Sequence, residues 1–347
     1  MKTTELGRSG IKVTDYCLGT MTFGTQTTEA EGHAQIDRAL DAGINFMDTA
    51  EMYPVNPVRT ETMGVTETII GNWIAKSGRR DDWVIATKHA GQRDETRDGR
   101  GIGPDTVRQT VEEGLQRLRT DYIDLYQFHW PNRSHYSFRR NWEFDPSKQP
   151  PRAELLDNMH ATMEVLADLV TEGKIRAFGL SNETAWGTMN WNAAAEATGG
   201  PRVSTIQNEY SLLCRLYDTD MGEVGYQEDV SLLAYSPLAC GMLTGKYQNG
   251  GLPQGSRMYI NGDLGGRKND RAFAATQAYL DIAARFGLDP VHMALAWTIQ
   301  RPFPTIPIFG ATTVDQLDRI IAGLDVTLDD DVLAEVSKAH RAHPMPY

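Results

Sequence analysis

Four side chains in the first half of the sequence have the types needed to reduce a carbonyl group: Asp48, Tyr53, Lys88 and His129. A hydride added to a carbonyl carbon leaves negative charge on the oxygen, so a proton donor must lie within hydrogen-bond reach of that oxygen. Tyr53 can donate the proton, and a neighbouring ammonium such as Lys88 would stabilise the phenolate and lower the phenol pKa. Asp48 would keep Lys88 charged and in place. His129 would orient the substrate oxygen.

Each of these residues also has an ordinary structural interpretation. Asp48 could cap a helix, Lys88 could form a surface ion pair, and Tyr53 and His129 could be half-buried polar groups. Taken singly, the structural interpretation is the better one. About 40 residues separate Asp48 from Lys88 and Lys88 from His129, and each of the three ends an apolar run. That spacing corresponds to one strand–helix unit and favours a shared site.

Short runs rich in β-branched residues alternate with segments of helical period, which predicts βαβ units and a parallel sheet. The predicted strands are Tyr16–Gly19, Ile44–Asp48, Trp83–Lys88, Ile123–His129, Ile175–Leu180, Ser204–Asn208, Ser231–Ser236 and Thr305–Phe309. An open dinucleotide-binding sheet would usually carry GxGxxG after its first strand, and the only comparable stretch, Gly99–Gly103, has the wrong spacing. We therefore predict a single (β/α)8 barrel domain spanning residues 1–347.

Several segments depart from this alternation. Residues 3–14 predict a β-hairpin that plugs the N-terminal end of the barrel, and a further helix follows the last strand. The loops Pro131–Arg152 and Cys240–Asn269 follow strands and should lie over the C-terminal mouth, where barrel enzymes bind substrate. The helix Glu154–Thr171 should bury one apolar stripe. That stripe consists of Leu155, Met159, Met163, Leu166 and Val170.

Composition and charge exclude several classes of protein. With 34 basic and 46 acidic residues the net charge is −12, which argues against nucleic acid or an anionic membrane as partner. No apolar leader or membrane-length apolar run is present. The three cysteines, Cys17, Cys214 and Cys240, lie far apart and lack the spacing of a metal site or a disulfide framework. We expect a soluble cytoplasmic protein without a metal. A glycoside hydrolase is disfavoured because the mouth offers one placed carboxylate where a pair is needed.

A second candidate site follows the last strand, where Phe309–Gln316 reads FGATTVDQ. A glycine before free amides at a helix start can bind phosphate, and barrels often have such a site after strands seven and eight. Thr313 and Gln316 also have the spacing of a capping box. On these residues alone, an ordinary capped helix is the better interpretation.

The motifs together resemble the aldo-keto reductase superfamily over nearly the whole chain. The resemblance is carried by LDAGINFMDTAEMY at 40–53, VIATKHA at 84–90, DYIDLYQFHWP at 121–131, EGKIRAFGLSN, TIQNEYSLL, LLAYSPLACGMLTGKY and IFGATTVDQL, in the order of the family. Within the superfamily the chain is most similar to the bacterial Tas-type reductases, through AEMYPV, TETIIGNWIAK, SNETAWG and the aromatic insertion after HWP.

The resemblance implies a (β/α)8 barrel that binds NADPH in an extended pose. The implied cofactor contacts are Gly19, Thr20 and Met21 at the nicotinamide ribose, with Asp48 beside them; Ser181, Asn182 and Gln207 at the nicotinamide amide; Tyr235 under its ring; Ser236, Leu238, Gly241 and Lys246 at the pyrophosphate; and Gly310, Thr312, Thr313 and Gln316 at the adenosine phosphate. Many relatives have a cation near Thr312 and an asparagine at the position of Ile320. Neither is present, so NADH stays open, with Lys246 and Arg319 as candidate cations for a 2′-phosphate.

The resemblance also extends to the β-subunits of voltage-gated potassium channels, which keep the barrel and the cofactor. A cofactor-binding regulatory module is therefore the alternative to a carbonyl reductase, and turnover of aldehydes would separate the two. The expected partner is a small carbonyl compound. The residues do not name that compound, and they are compatible with a homo-oligomer without deciding the oligomeric state.

Overall fold

The computed structural model describes residues 1–347 and contains a closed barrel of eight parallel strands preceded by a two-stranded antiparallel hairpin. The hairpin strands are β1 (Thr3–Glu5) and β2 (Lys12–Thr14). The barrel strands are β3 (Cys17–Gly19), β4 (Phe46–Asp48), β5 (Val84–His89), β6 (Ile123–Phe128), β7 (Ile175–Ser181), β8 (Val203–Glu209), β9 (Ser231–Tyr235) and β10 (Thr305–Phe309). β10 pairs with β3 and closes the barrel. All eight predicted strands are present, and the (β/α)8 prediction is confirmed.

Eleven helices surround the barrel. They are α1 (Glu29–Asp41), α2 (Val65–Ser77), α3 (Pro104–Leu118), α4 (Arg152–Thr171), α5 (Ala185–Thr198), α6 (Asp220–Gln227), α7 (Arg257–Asn261), α8 (Asp270–Arg285), α9 (Pro290–Ile299), α10 (Val314–Ile321) and α11 (Asp330–Ala342). The last of them is the predicted additional C-terminal helix, and Arg285 on α8 binds Glu335 on α11. None of the helices has the length and apolar character needed to cross a membrane.

The apolar stripe of α4 differs from the prediction at its C-terminal end. Met163 and Leu166 are fully buried as expected, but Val170 is 37% exposed and Leu169 is buried in its place. A step of four from Leu166 stays on the same side of a helix, so the helical period does not explain this difference. Val170 begins the exposed run 170–173, where α4 ends. The assignment of Val170 to the core was wrong.

The hairpin closes the N-terminal end of the barrel, as predicted. Leu6, Ile11 and Val13 are buried and pack among apolar strand residues that point into the barrel. Gly7 lies close to the neighbouring backbone, since a Cβ atom there would stand 2.5 Å from the Ser204 carbonyl oxygen, and its φ is +54°. Only glycine fits this approach.

Along several strands the inward-facing side chains change from apolar to polar within two residues. Ala86 on β5 belongs to the apolar layer above the hairpin, and Lys88, two positions further, is also fully buried. On β6, Leu125 is followed in the same way by Gln127, which is likewise fully buried. Because side chains alternate with period two along a strand, both members of each pair point to the same side. The polar layer therefore lies at the C-terminal mouth.

The two long loops lie over that mouth and are attached to the end of β8. From the loop after β6, Arg139 donates to Glu209 at 2.9 Å, and from the loop after β9, Arg267 donates to the same carboxylate at 2.8 Å. Ser137 also donates to the carbonyl oxygen of Asn182 at 3.4 Å. Each loop contains short helical turns, among them α7, where the sequence showed little periodicity.

Candidate active site

The structure brings Asp48, Tyr53 and Lys88 together in the polar layer of the barrel. The ammonium of Lys88 is fully buried and donates to Asp48 Oδ2 at 2.7 Å, to the carbonyl oxygen of Thr49 at 2.7 Å and to the Tyr53 hydroxyl at 3.4 Å. It also lies 4.7 Å from the centroid of the Tyr53 ring. The three N–H groups of Lys88 thus have three acceptors, and one of them is the hydroxyl proposed to donate a proton.

The second oxygen of Asp48 is held by two amides. Gln207 donates to Asp48 Oδ1 at 2.8 Å, and Gln127 donates to the same oxygen at 3.3 Å. Gln127 was not among the predicted site residues. Its signal in the sequence was its position two residues before His129 on the same strand, which places its side chain inside the barrel next to Lys88.

The electrostatics of the group partly differ from the sequence argument. Burial works against the charge of Lys88, but the charges of Asp48 and Tyr53 outweigh it and hold the pKa of Lys88 above its ordinary value. Burial also raises the pKa of Tyr53, and the Lys88 ammonium opposes this only in part. The expectation of a lowered phenol pKa was wrong because it left out desolvation. Tyr53 is therefore fully protonated at neutral pH.

His129 lies beside Tyr53 at the mouth, with ring centroids 5.7 Å apart and an interplanar angle of 74°. Burial, followed by the charge of Lys88, lowers the pKa of His129 well below its ordinary value. The imidazole is neutral at physiological pH and carries one N–H. Its Nδ1 atom is buried without a hydrogen-bond partner in the protein. A neutral imidazole in this position can donate one hydrogen bond to a ligand oxygen.

The residues predicted at the nicotinamide amide lie in one hydrogen-bonded group at the ends of β7, β8 and β9. Ser181 donates to the carbonyl oxygen of Gln207 at 2.8 Å, and the Asn182 amide donates to the carbonyl oxygen of His129 at 2.9 Å. The Tyr235 hydroxyl donates to Asn182 Oδ1 at 2.8 Å. Together they form a polar shelf across the mouth from Lys88.

The segment after β9 forms a tight turn that contains several residues with positive φ values. Ser236, Ala239, Cys240 and Gly241 all have positive φ values, the last three in succession at 47°, 55° and 93°. The N–H groups of Ala239 and Gly241 donate to the carbonyl oxygens of Ser236 and Leu238, at 2.8 and 2.9 Å, so the turn is closed by its own backbone. A Cβ atom at Gly241 would stand 2.7 Å from the Lys246 side chain, and Leu238 precedes the turn. The predicted pyrophosphate residues Ser236, Leu238, Gly241 and Lys246 therefore share this loop.

The residues predicted at the adenosine phosphate lie at the start of α10, directly after Gly310. Thr313 accepts from the backbone N–H of Gln316, but the Gln316 side chain accepts from Thr312 and not from Thr313. The predicted capping box is therefore only half formed. In addition, Glu31 of α1 accepts the N–H of Val314 at 2.7 Å.

Of the two candidate cations for a 2′-phosphate, Arg319 is engaged elsewhere. It donates to both oxygens of Asp289, at 2.9 and 3.1 Å. Lys246 forms no ion pair and lies 5.2 Å from the Tyr247 ring centroid. Ile320, at the position where many relatives have asparagine, is buried at 4% exposure and cannot offer a polar contact. Of the two cations, only Lys246 is free to bind phosphate.

The three residues at the end of β3 line the same mouth. A Cβ atom at Gly19 would stand 2.9 Å from the Ile308 side chain, so a larger residue would require β10 to shift. Thr20 donates to the carbonyl oxygen of Asp48 at 2.8 Å, and Met21 packs against the apolar cluster that contains Tyr53. A cofactor that approaches Asp48 from this side would meet the backbone of β3.

Arg257, at the first position of α7, is a further cation near the site that sequence reasoning missed. Its charge lowers the pKa of Tyr53, although burial outweighs this effect. Its distinguishing feature in the sequence was an arginine in a glycine-rich loop that follows a strand. The side chain contributes to the positive charge around the reacting group.

The whole chain is similar in sequence to known proteins. A model of the Aldo/keto reductase family matches residues 16–341. The chain is 43% identical over 355 residues to "Protein tas" of Escherichia coli, covering 100% of this chain and 99% of the relative. It is 33% identical to the "Uncharacterized oxidoreductase YrpG" of Bacillus subtilis, covering 96% and 94%. It is 28% identical to the "Norsolorinic acid reductase stcV" of Emericella nidulans, covering 94% and 78%.

Proposed function

Because this chain belongs to the aldo/keto reductase family, an oxidoreductase family, we propose that it reduces aldehyde or ketone carbonyls to alcohols with NADPH as the hydride donor. The observation that carries the proposal is the buried ammonium of Lys88, placed between the carboxylate of Asp48 and the hydroxyl of Tyr53. An ion pair of this kind is costly to bury, and the polar layer stands beside an apolar one. Chemistry explains its presence better than stability does.

The nicotinamide supplies a hydride to the carbonyl carbon when the dinucleotide is bound. The O–H group of Tyr53 gives its proton to the oxygen on which negative charge develops. Lys88, 3.4 Å away, stabilises the phenolate that remains, and Asp48 keeps Lys88 charged. His129 donates a hydrogen bond to the same substrate oxygen and orients it. The high pKa of Tyr53 keeps the proton on the phenol until the carbonyl oxygen becomes basic.

The residues that would hold the dinucleotide divide along its length. Ser181, Asn182 and Gln207 would bind the nicotinamide amide, and Tyr235 would stack on the ring. The loop after β9, with Lys246 as its cation, would bind the pyrophosphate. The start of α10 would take the adenosine end.

The direct test is oxidation of NADPH in the presence of aldehydes, ketones and quinones, followed by absorbance, with NADH in parallel. We expect turnover of at least one reactive aldehyde that depends on enzyme and on NADPH. Binding of NADPH without turnover of any carbonyl compound would support the regulatory module in place of the reductase. The affinities for NADH and NADPH should also be measured by titration. The reason is that Glu31 accepts the N–H of Val314, the first amide of α10, and that Arg319 is bound to Asp289. Equal affinities for NADH and NADPH would show that no 2′-phosphate site exists.

A further inference from the structure

A second buried ion pair, Glu51 with Arg97, lies beside the catalytic group and takes no part in the reaction described above. Arg97 Nη1 donates to both carboxylate oxygens of Glu51 at 2.7 Å. The two side chains are 6% and 8% exposed. Arg97 Nη2 donates to the carbonyl oxygen of Ala90 at 2.6 Å, and the N–H of Ala90 donates back to Glu51. We call this closed ring of hydrogen bonds, formed by Glu51, Ala90 and Arg97, the Glu51–Arg97 clamp.

The clamp joins the two chain segments that carry the reacting groups. Glu51 stands between Asp48 and Tyr53, two residues before the tyrosine, and its backbone N–H donates to the carbonyl oxygen of Lys88 at 3.2 Å. Ala90 follows Lys88 by two residues. The position of Tyr53 relative to Lys88 is therefore held on one side by the ammonium itself and on the other by the clamp.

Arg97 has a left-handed backbone conformation, which is unfavourable for an arginine. Its φ is +46°, and Asp98 and Gly99 follow at +54° and +79°. Residues other than glycine rarely adopt this left-handed region, and they stay in it where surrounding contacts impose the conformation. The contacts that impose it here are those of the Arg97 guanidinium with Glu51 and Ala90, so the loop after β5 is shaped around the clamp.

We propose that Arg97 is a positioning residue, which acts through Glu51 to hold the Tyr53 segment against the end of β5 and so keeps the Tyr53 hydroxyl within reach of Lys88. The proposal rests on the proposed role of Tyr53 as proton donor. A displacement of about 1 Å in a reacting group costs on the order of 10²-fold in rate. Arg97 touches neither the substrate nor the reacting atoms, so its effect should appear in the chemical step and not in cofactor binding.

The charges around Glu51 allow the positioning role to be separated from a merely stabilising one. Burial raises the pKa of Glu51, and Arg97 is the main group that opposes this rise. The charge of Glu67 adds to the rise. The other titratable groups facing Glu51 are Arg117 on α3, Tyr126 on β6 and, against the Arg97 guanidinium, His89 on β5. None of them contacts the Glu51 carboxylate, so removal of Arg97 leaves that carboxylate without a contacting counter-charge.

The experiment compares Arg97→Met, Arg97→Lys and Glu51→Gln with the wild type. Arg202→Met is the matched control, because Arg202 also binds two carboxylates but lies before β8, at the opposite end of the barrel. The first measurement is the single-turnover rate of aldehyde reduction between about pH 6 and 9. The second is cofactor affinity by tryptophan fluorescence, and the third is hydrogen exchange of the peptide that contains residues 49–53.

We expect Arg97→Met to slow single turnover by about 10²-fold with cofactor affinity changed by less than about threefold. The rate should fall further as the pH is lowered, because Glu51 without its counter-charge takes up a proton, whereas Glu51→Gln should show no such fall. Arg97→Lys keeps the charge but not the two-pronged contact, and should be slowed by about tenfold. Amide exchange at residues 49–53 should accelerate in Arg97→Met and not in Arg202→Met.

A wild-type single-turnover rate and pH profile in Arg97→Met would overturn the proposal. If Arg97→Met does not fold, Arg97→Lys decides the question, since an unchanged rate in that folded variant would equally contradict it. If the wild type reduces no carbonyl compound, the proposed function has failed. The hydrogen-exchange result then still decides whether Arg97 holds the Tyr53 segment.

Discussion

The two ends of the barrel interior are equally buried and chemically opposite. Above the hairpin, Phe46 and Ala86 belong to a closed apolar layer that contains no charge. Two residues further along the same strands, Asp48 and Lys88 form an ion pair whose side chains are 3% and 0% exposed. One layer is what a stable barrel needs, and the other is difficult to explain by stability, because desolvation of two charges can cancel their attraction. The comparison separates the residues that hold the fold from those that we propose serve the reaction.

The barrel keeps the second layer by giving every charge its partners. The Lys88 ammonium has three acceptors, and both oxygens of Asp48 accept hydrogen bonds. Around this layer, Arg97 matches Glu51 in the same way. Removal of one member of such a group should therefore cost more than removal of a pair, whereas the apolar layer should respond to lost volume alone.

Lys88→Met tests the polar layer most severely. We expect turnover to fall by roughly 10²–10⁴-fold, as expected for the loss of an acid–base group. The free energy of unfolding should fall by about 3–5 kcal/mol, because Asp48 is left buried and unpaired. Urea unfolding and steady-state kinetics measure the two effects. Adding Asp48→Asn should recover much of the stability and none of the activity. Recovery of activity in the double variant would contradict the division between the two layers.

Phe46→Ala is the corresponding change in the apolar layer. Phe46 is fully buried, so truncation should cost about 3–5 kcal/mol through lost contacts and a cavity. Turnover measured well below the unfolding transition should stay within about threefold of wild type, since the polar layer keeps its hydrogen bonds. A loss of turnover like that of Lys88→Met would show that the two layers are not separable.

Acid should destabilise the mouth end before it affects the apolar end. Burial lowers the pKa of His89 to about 3 and of His135 to about 4, and it also holds the pKa of His129 well below its ordinary value. Below pH of about 6.5 the unfolded chain takes up these protons and the folded protein does not, so stability falls as the pH falls. Each histidine contributes about 1.4 kcal/mol per pH unit in that window.

The midpoint of urea unfolding measures this loss when it is compared at about pH 7.5 and pH 5.5, one unit above and one unit below the ordinary histidine pKa. His89→Gln should reduce the difference by about the share of one histidine. Stability that does not change between the two pH values would contradict the neutral, buried state of these imidazoles.

Arg8→Ala should have the smallest effect. Arg8, in the hairpin turn, binds Asp229, which lies just before β9, at 2.7 Å, but the two side chains are 55% and 56% exposed. Exposed pairs contribute about 0–1 kcal/mol, and the hairpin is held by Leu6, Ile11 and Val13 instead. Thermal unfolding is sufficient as the measurement. A loss as large as that of Phe46→Ala would mean that the plug depends on charge.

The strand-end residues and the barrel were predictable because period-two alternation and strand–helix spacing are local features of the sequence. Lys88 and Asp48 could be placed at one mouth on that basis. The raised pKa of Tyr53 could not be predicted from the sequence, because desolvation depends on which loops cover the residue. The partners of Glu51 were hidden for a similar reason, since Arg97 lies in a loop whose left-handed backbone no local pattern specifies. Val170 was misplaced because the apolar pattern does not show where α4 ends, and this residue lies in the exposed last turn of the helix.

The central claim is that Tyr53 gives the proton, and Tyr53→Phe tests it most directly. The change removes one hydroxyl that accepts from Lys88 and should leave the shelf formed by Ser181, Asn182 and Gln207 intact. The measurement is single-turnover reduction of a reactive aldehyde together with fluorescence titration of NADPH. We predict that the single-turnover rate falls by roughly 10²–10⁴-fold, which is the usual contribution of a general acid, while cofactor affinity stays nearly unchanged. Retention of more than about a tenth of the wild-type rate would contradict the assignment.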